Sequence, residues 1–223
     1  MTPIQQRLQA LCSQLPPHVQ LVAVSKFHPT EAVEQCYQTG QRLFGESREQ
    51  ELRHKAPVLP KDIEWQFIGH LQTNKVRHVV PIASRILSVD SLRLLQEIEK
   101  QAARIGKQMG VLLELHVTDE PTKSGFTPDE CLDMLQSGVW RQMSHVRIEG
   151  IMCMATLTDD EAVIRSNFRT AIRAFTTYKE QFFADSPHFC IRSWGMSDDW
   201  PIAVEEGSNM VRIGTDIFGP REY

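Results

Sequence analysis

Eight short apolar runs, each followed by a segment of helical periodicity, succeed one another along 223 residues at about 28 residues per unit. The runs read as strands at 21–24, 42–45, 65–68, 86–89, 111–117, 146–152, 188–192 and 210–213. Helical patterns fill the intervals, over 29–39, 47–55, 73–79, 91–105, from Thr127 onward, up to about Phe183 and over 198–206. In the fifth of these gaps Thr127, Pro128 and Glu130 supply an N-cap, a first-turn proline and a capping-box glutamate. Thr158 and Glu161 offer a second such box. Strands that alternate with helices at this pitch predict an α/β fold, a single (β/α)8 TIM barrel over residues 1–223. A doubly wound sheet is the competitor, but no GxGxxG follows the first strand. The residues before Leu21 predict an extra N-terminal helix, expected to close the bottom of the barrel.

Composition narrows the class of function. The net charge of −4 argues against a general nucleic-acid binder. The N-terminal stretch lacks the apolar core of a signal peptide, and no apolar run approaches a membrane span, so the expected location is cytoplasmic, away from membranes. Five scattered cysteines without a CxxC pair support neither a disulfide framework nor zinc. The eight histidines show no metal-ligand spacing.

Lys26 directly follows the apolar run 21–24. A lysine at the C-terminal end of a barrel strand points into the mouth, where desolvation favours the neutral amine that a Schiff base needs. A solvent-facing loop lysine is the alternative. At the other end of the chain, strand 210–213 runs into Gly214 and Thr215, suited to holding a phosphate through backbone N–H groups. RSWGMSDDWP (192–201) places Ser197 at an expected helix start, so two loops, after the seventh and eighth strands, would converge on one phosphate. An amine for an aldehyde and a nest for a phosphate together suggest pyridoxal phosphate (PLP).

Other polar groups fall at strand ends. Arg212 would reach the barrel mouth, where its fixed charge would disfavour protonation of a cofactor ring nitrogen; an ion pair with Glu114 or Glu149 is the alternative. His70 and Asn74 follow the third strand, Ser47 the second, and Lys123 the fifth, within a turn. Met152 and Met154 pack against the cofactor or the core.

The motifs VSKFHP, FGES, FIGHLQTNK, SVD (88–90), TKSGF (122–126), GIMCMA (150–155), WGMSDD and MVRIGTDIFG together resemble the YggS/PROSC family, the pyridoxal phosphate homeostasis proteins. They cover about 190 residues in family order, a combination far more specific than any one piece. The resemblance implies a barrel similar to the N-terminal domain of alanine racemase and a Schiff base (internal aldimine) at Lys26. It also implies phosphate contacts from Ser197, Gly214 and Thr215, with Arg212 near the pyridine nitrogen. It further implies a monomeric protein without established turnover that buffers PLP or delivers it to PLP-dependent apo-enzymes. Three positions depart from the family pattern: Ser47 where asparagine is frequent, Thr156 where proline is frequent, and Trp194, expected to narrow the entrance.

Two other functions are weighed against this one. A PLP-dependent amino-acid racemase or lyase would need acid–base groups on both faces of its substrate; Tyr37 and Tyr178 lie in helical segments and Tyr223 is terminal. A Schiff-base aldolase or phosphosugar enzyme would also use a lysine and a phosphate site.

Overall fold

The computed structural model describes residues 1–118, 120 and 124–220. The chain opens with α1 (Pro3–Gln14), β1 (Gln20–Val24), α2 (Thr30–Gln38), β2 (Leu43–Glu46), α3 (Glu49–Lys55) and β3 (Glu64–Phe67). A 3-10 turn (Thr73–Lys75) leads into α4 (Val76–Val79), then β4 (Arg85–Val89), α5 (Leu92–Arg104), β5 (Met109–Leu115) and α6 (Pro128–Gln136). The last third comprises β6 (Val146–Cys153), α7 (Glu161–Phe182), β7 (Ile191–Ser193), α8 (Trp200–Glu205), β8 (Met210–Ile213) and α9 (Thr215–Phe218).

The eight strands close into a parallel barrel in sequence order, and β8 returns to pair with β1. At that seam Val22 is opposite Arg212 and Ala23 opposite Ile213. The period of two along each strand sorts side chains between two layers. Leu21 and Ala23 face the helices and join the large outer core, whereas Val22 faces inward. Val22, Leu87, Leu112, Met152, Ile191 and Met210 fill the barrel interior as a separate apolar cluster. Nearer the strand N-termini, Glu149 accepts from Arg85 Nε at 2.6 Å and Arg147 Nε at 2.7 Å, and Arg85 also donates to Gln66 at 3.0 Å. Gly110 leaves room for this carboxylate, because a Cβ there would lie 2.9 Å from it.

Local signals account for most boundaries. Thr127 accepts from the N–H of Glu130, whose side chain accepts from the N–H of Thr127, so the expected capping box forms at α6. At α7 the cap is Asp160 rather than Thr158: its carboxylate accepts the Ala162 N–H at 2.9 Å, while Thr158 accepts the Asp160 N–H. A charged oxygen at the N-cap also suits the positive end of the helix. The helix expected to start at Asp198 begins at Trp200, because Asp199 folds back to accept the Met196 N–H at 2.6 Å. The N-terminal helix does not close the barrel's base. It packs between α2 and α9 on the flank, where Arg7 Nε donates to the Ile217 carbonyl at 2.8 Å.

Candidate functional site

The interior apolar cluster stops below the C-terminal ends of the strands, leaving a cleft of about 250 Å³ at the mouth. β1 delivers Val24 and Lys26 to it, separated by the period of two that also turns Val22 inward. β8 delivers Arg212 and Gly214 by the same alternation from Met210. Thr215 and, from the turn after β7, Ser197 complete the polar rim, while Ile68 and Met154 supply apolar wall.

Lys26 is half-buried and occupies the second position of a four-residue turn in which the Ser25 carbonyl accepts the His28 N–H at 3.1 Å. Phe27, the third residue, has φ of 66°, the left-handed region that glycine favours at this place in a turn. His28 lines the cleft and stacks on Phe218, with ring centroids 4.9 Å apart.

Arg212 is buried and held by oxygens: one terminal guanidinium nitrogen donates to the Ser193 carbonyl (2.7 Å) and hydroxyl (2.8 Å), the other to the Cys153 carbonyl at 3.0 Å. Burial pulls its pKa down, opposed by the nearby Cys153, Asp199 and Glu114. An arginine stays cationic under such a shift. Glu149, one of its two expected alternative partners, is instead held by Arg85 and Arg147. Glu114 accepts from Ser124 Oγ at 2.9 Å, and burial raises its carboxyl pKa.

The phosphate end of the cleft is shaped by glycines. Gly195 has φ of +97°, and a Cβ there would come within 2.6 Å of the Ala203 methyl, so the turn presenting Ser197 admits only glycine. The residues after β8 form a helical turn, α9, capped by Gly214, where the sequence indicated only a nest. The first N–H groups of any helical turn lack intrahelical acceptors.

The structure therefore brings Lys26, Ser197, Arg212, Gly214 and Thr215 together. Met152 lies beneath them in the barrel interior. Ser47 and His70 line a separate groove, in which His70 Nδ1 is 3.2 Å from Asp90 and Lys75 is 2.9 Å from Glu49. Asn74 is exposed and lines neither. Lys123 and Tyr223 lie outside the described residues. Trp194 does not narrow the entrance: the alternation along β7 turns it outward, where it is buried against Phe168. Its indole N–H has no partner among the described residues. His28 and Met196 are cleft residues that sequence reasoning missed; adjacency to Lys26 and Ser197 in their motifs was the available signal.

The family model for the alanine racemase N-terminal domain matches residues 2–222. A pyridoxal phosphate homeostasis protein of Helicobacter pylori is 36% identical over 90% of this chain and 87% of its own. The chain belongs to this family. A homeostasis protein of Escherichia coli K12 is 35% identical over 95% of the chain and 90% of its own. Among solved structures, PipY of Synechococcus elongatus PCC7942 without PLP superposes with a TM-score of 0.91 at 37% identity, covering 97% of this chain and all (100%) of PipY. PipY with PLP bound superposes with a TM-score of 0.88. For a pyridoxal phosphate homeostasis family member, the cleft at the barrel mouth is the natural place to test the cofactor against the residues present.

Proposed function

We propose that this chain binds PLP in the barrel-mouth cleft, with Lys26 as covalent anchor, and takes part in intracellular PLP homeostasis. The observation that carries the reading is the convergence of Lys26, Arg212 and the Ser197–Gly214–Thr215 rim in one cleft, in a chain whose relatives are named for that role. The residues fit the group. Gly214 keeps the floor open where a Cβ would sit 3.1 Å from the Val24 carbonyl, and Ser197 and Thr215 offer hydroxyls to an anion. Arg212, held by its three oxygen partners, presents a fixed positive charge to a ring in the cleft. Bound PLP supplies an aldehyde that condenses with a neutral amine, releasing water, and a ring that withdraws electrons. An arginine beside the ring nitrogen disfavours its protonation and so weakens that withdrawal.

Holding and delivery, rather than turnover, are supported by the role for which the relatives are named and by the placement of Tyr37 and Tyr178. Tyr37 donates to Asp62 on the outer surface, and Tyr178 to the Pro128 carbonyl within the helical layer. Neither stands at the cleft. The racemase or lyase reading has His28, a titratable ring in the cleft, in its favour. We further infer a cytoplasmic monomer in one barrel domain that passes PLP to apo-enzymes. Among the described residues no helix is long and apolar enough to cross a membrane.

Borohydride reduction of the protein with added PLP, followed by peptide mass spectrometry, tests the anchor. A phosphopyridoxyl group on Lys26 is expected, and Lys26→Ala should abolish it without unfolding the chain. No adduct, or one spread over surface lysines, would return the lysine to the aldolase reading. Exchange of an amino-acid α-proton with deuterated solvent at an enzymatic rate would establish the racemase or lyase instead.

A further inference from the structure

The turn that carries Lys26 is gripped on both sides from β2 and α3. Lys55, the last residue of α3, is 3% exposed, although lysine is almost never buried without partners. Its ammonium donates to the Ser25 carbonyl at 2.8 Å, to Glu46 Oε1 at 2.7 Å and to Glu51 Oε2 at 3.0 Å. The same oxygen of Glu51 accepts the Phe27 N–H at 2.7 Å. Glu46 Oε1 also accepts the Ser25 hydroxyl at 2.6 Å. Arg48 lies over the Phe27 ring, 4.6 Å from its centroid.

Four of these contacts fall on Ser25 or Phe27, the two neighbours of Lys26, while the other two join Lys55 to Glu46 and Glu51; Phe27 is the residue held at positive φ. A left-handed phenylalanine persists only where its surroundings over-determine it. None of the contacting groups lines the cleft. A buried charge cluster outside a site, bonded to the backbone on either side of its central lysine, is more than packing of α3 against the barrel requires.

We infer that Lys55, with Glu46 and Glu51, positions Lys26: the cluster fixes the peptide units flanking the anchor so that its amine is presented to an aldehyde in the cleft. The inference rests on the reading of Lys26 as the PLP anchor. Lys55 touches no bound group; it acts through the backbone.

The test separates attachment from binding. PLP and pyridoxine 5′-phosphate share ring and phosphate, but the second has an alcohol in place of the aldehyde and cannot attach to an amine. In Lys55→Met, Lys26 labelling by PLP and borohydride should slow by about tenfold or more, the effect of a small misplacement of a reacting group. Affinity for pyridoxine 5′-phosphate, read by calorimetry, should stay within about twofold. If Lys55→Met does not fold, Glu51→Ala carries the same test, because Glu51 is on the outer edge of the cluster with a side chain 21% exposed. Equal losses for both ligands, or no loss for PLP, in the variant that folds would overturn the positioning role. The unsubstituted protein reports on the functional reading separately: absence of a Lys26 adduct there overturns both.

Discussion

The carbonyl oxygen of Val24 lies 3.1 Å from where a side chain on Gly214 would begin. This approach couples the strand that delivers Lys26 to the turn that ends β8. Gly214 has φ of −118°, so the limit is space rather than backbone conformation. Gly214→Val should push β1 and the α9 turn apart and fill the cleft floor. We expect PLP affinity to fall by about tenfold or more, on the order of 1.4 kcal/mol, read by titration calorimetry. An unchanged affinity would place the ligand elsewhere.

Ser197 is positioned by a turn that only Gly195 permits and lines the cleft, where its side chain also hydrogen-bonds the Asp216 carboxylate. Ser197→Ala should leave stability within about 0.5 kcal/mol, as for a surface change. It should weaken PLP binding by about 1.5–3 kcal/mol, the size of a hydrogen bond to a charged group. Pyridoxal, which lacks the phosphate, should lose nothing. Comparing the two ligands across the substitution decides whether Ser197 holds the phosphate.

Arg212 satisfies three oxygens that have no access to water, two of them backbone carbonyls. Arg212→Gln should cost stability even without ligand, about 1–3 kcal/mol for each buried acceptor left unpaired. Urea denaturation of the ligand-free protein measures this. Arg212→Glu should be worse still, because it sets a carboxylate against the same oxygens.

Burial pushes the Glu46 carboxyl from its ordinary 4.5 up to about 7, despite the opposing pull of Lys55. Its second oxygen, Oε2, accepts no hydrogen bond among the described residues. A raised acid binds its proton more tightly when folded, so its contribution is fully present below pH 4.5 and is lost as pH rises through about 7. The shift corresponds to on the order of 3 kcal/mol. Glu46→Gln should flatten the fall in stability across that window; denaturation curves of parallel slope for both proteins would contradict this.

Much of the barrel was legible because each strand carries its own apolar run and each long helix its own stripe. Ile164, Phe168, Ala171, Phe175, Tyr178 and Phe182 of α7 recur at helical spacing as one face; the first five are buried and Phe182 is half-buried. Boundaries set by a single side chain were less legible. Asp160 took the cap from Thr158, and Asp199 delayed α8, because each carboxylate found a backbone N–H that spacing alone does not reveal. The same limit applies at the site. Lys26, Ser197, Arg212, Gly214 and Thr215 could be placed at strand ends, and strand ends converge in any such barrel. Which side chains at those ends share one cleft depends on packing that spacing alone does not reveal, and Ser47 and His70 face another groove although Ile68, two residues before His70, lines the cleft. The cluster around Lys55 left no trace in the sequence beyond an ordinary i,i+4 Glu–Lys pair.

The apolar filling of the barrel beneath the cleft, Met152 and Met210 among it, makes the site a cup with one opening. Whatever settles there must back out past Lys26, Ser197 and Met196. Capture and surrender thus share a single doorway, and an acceptor protein receiving the cargo directly would have to meet that rim face to face, competing for the very groups that hold it.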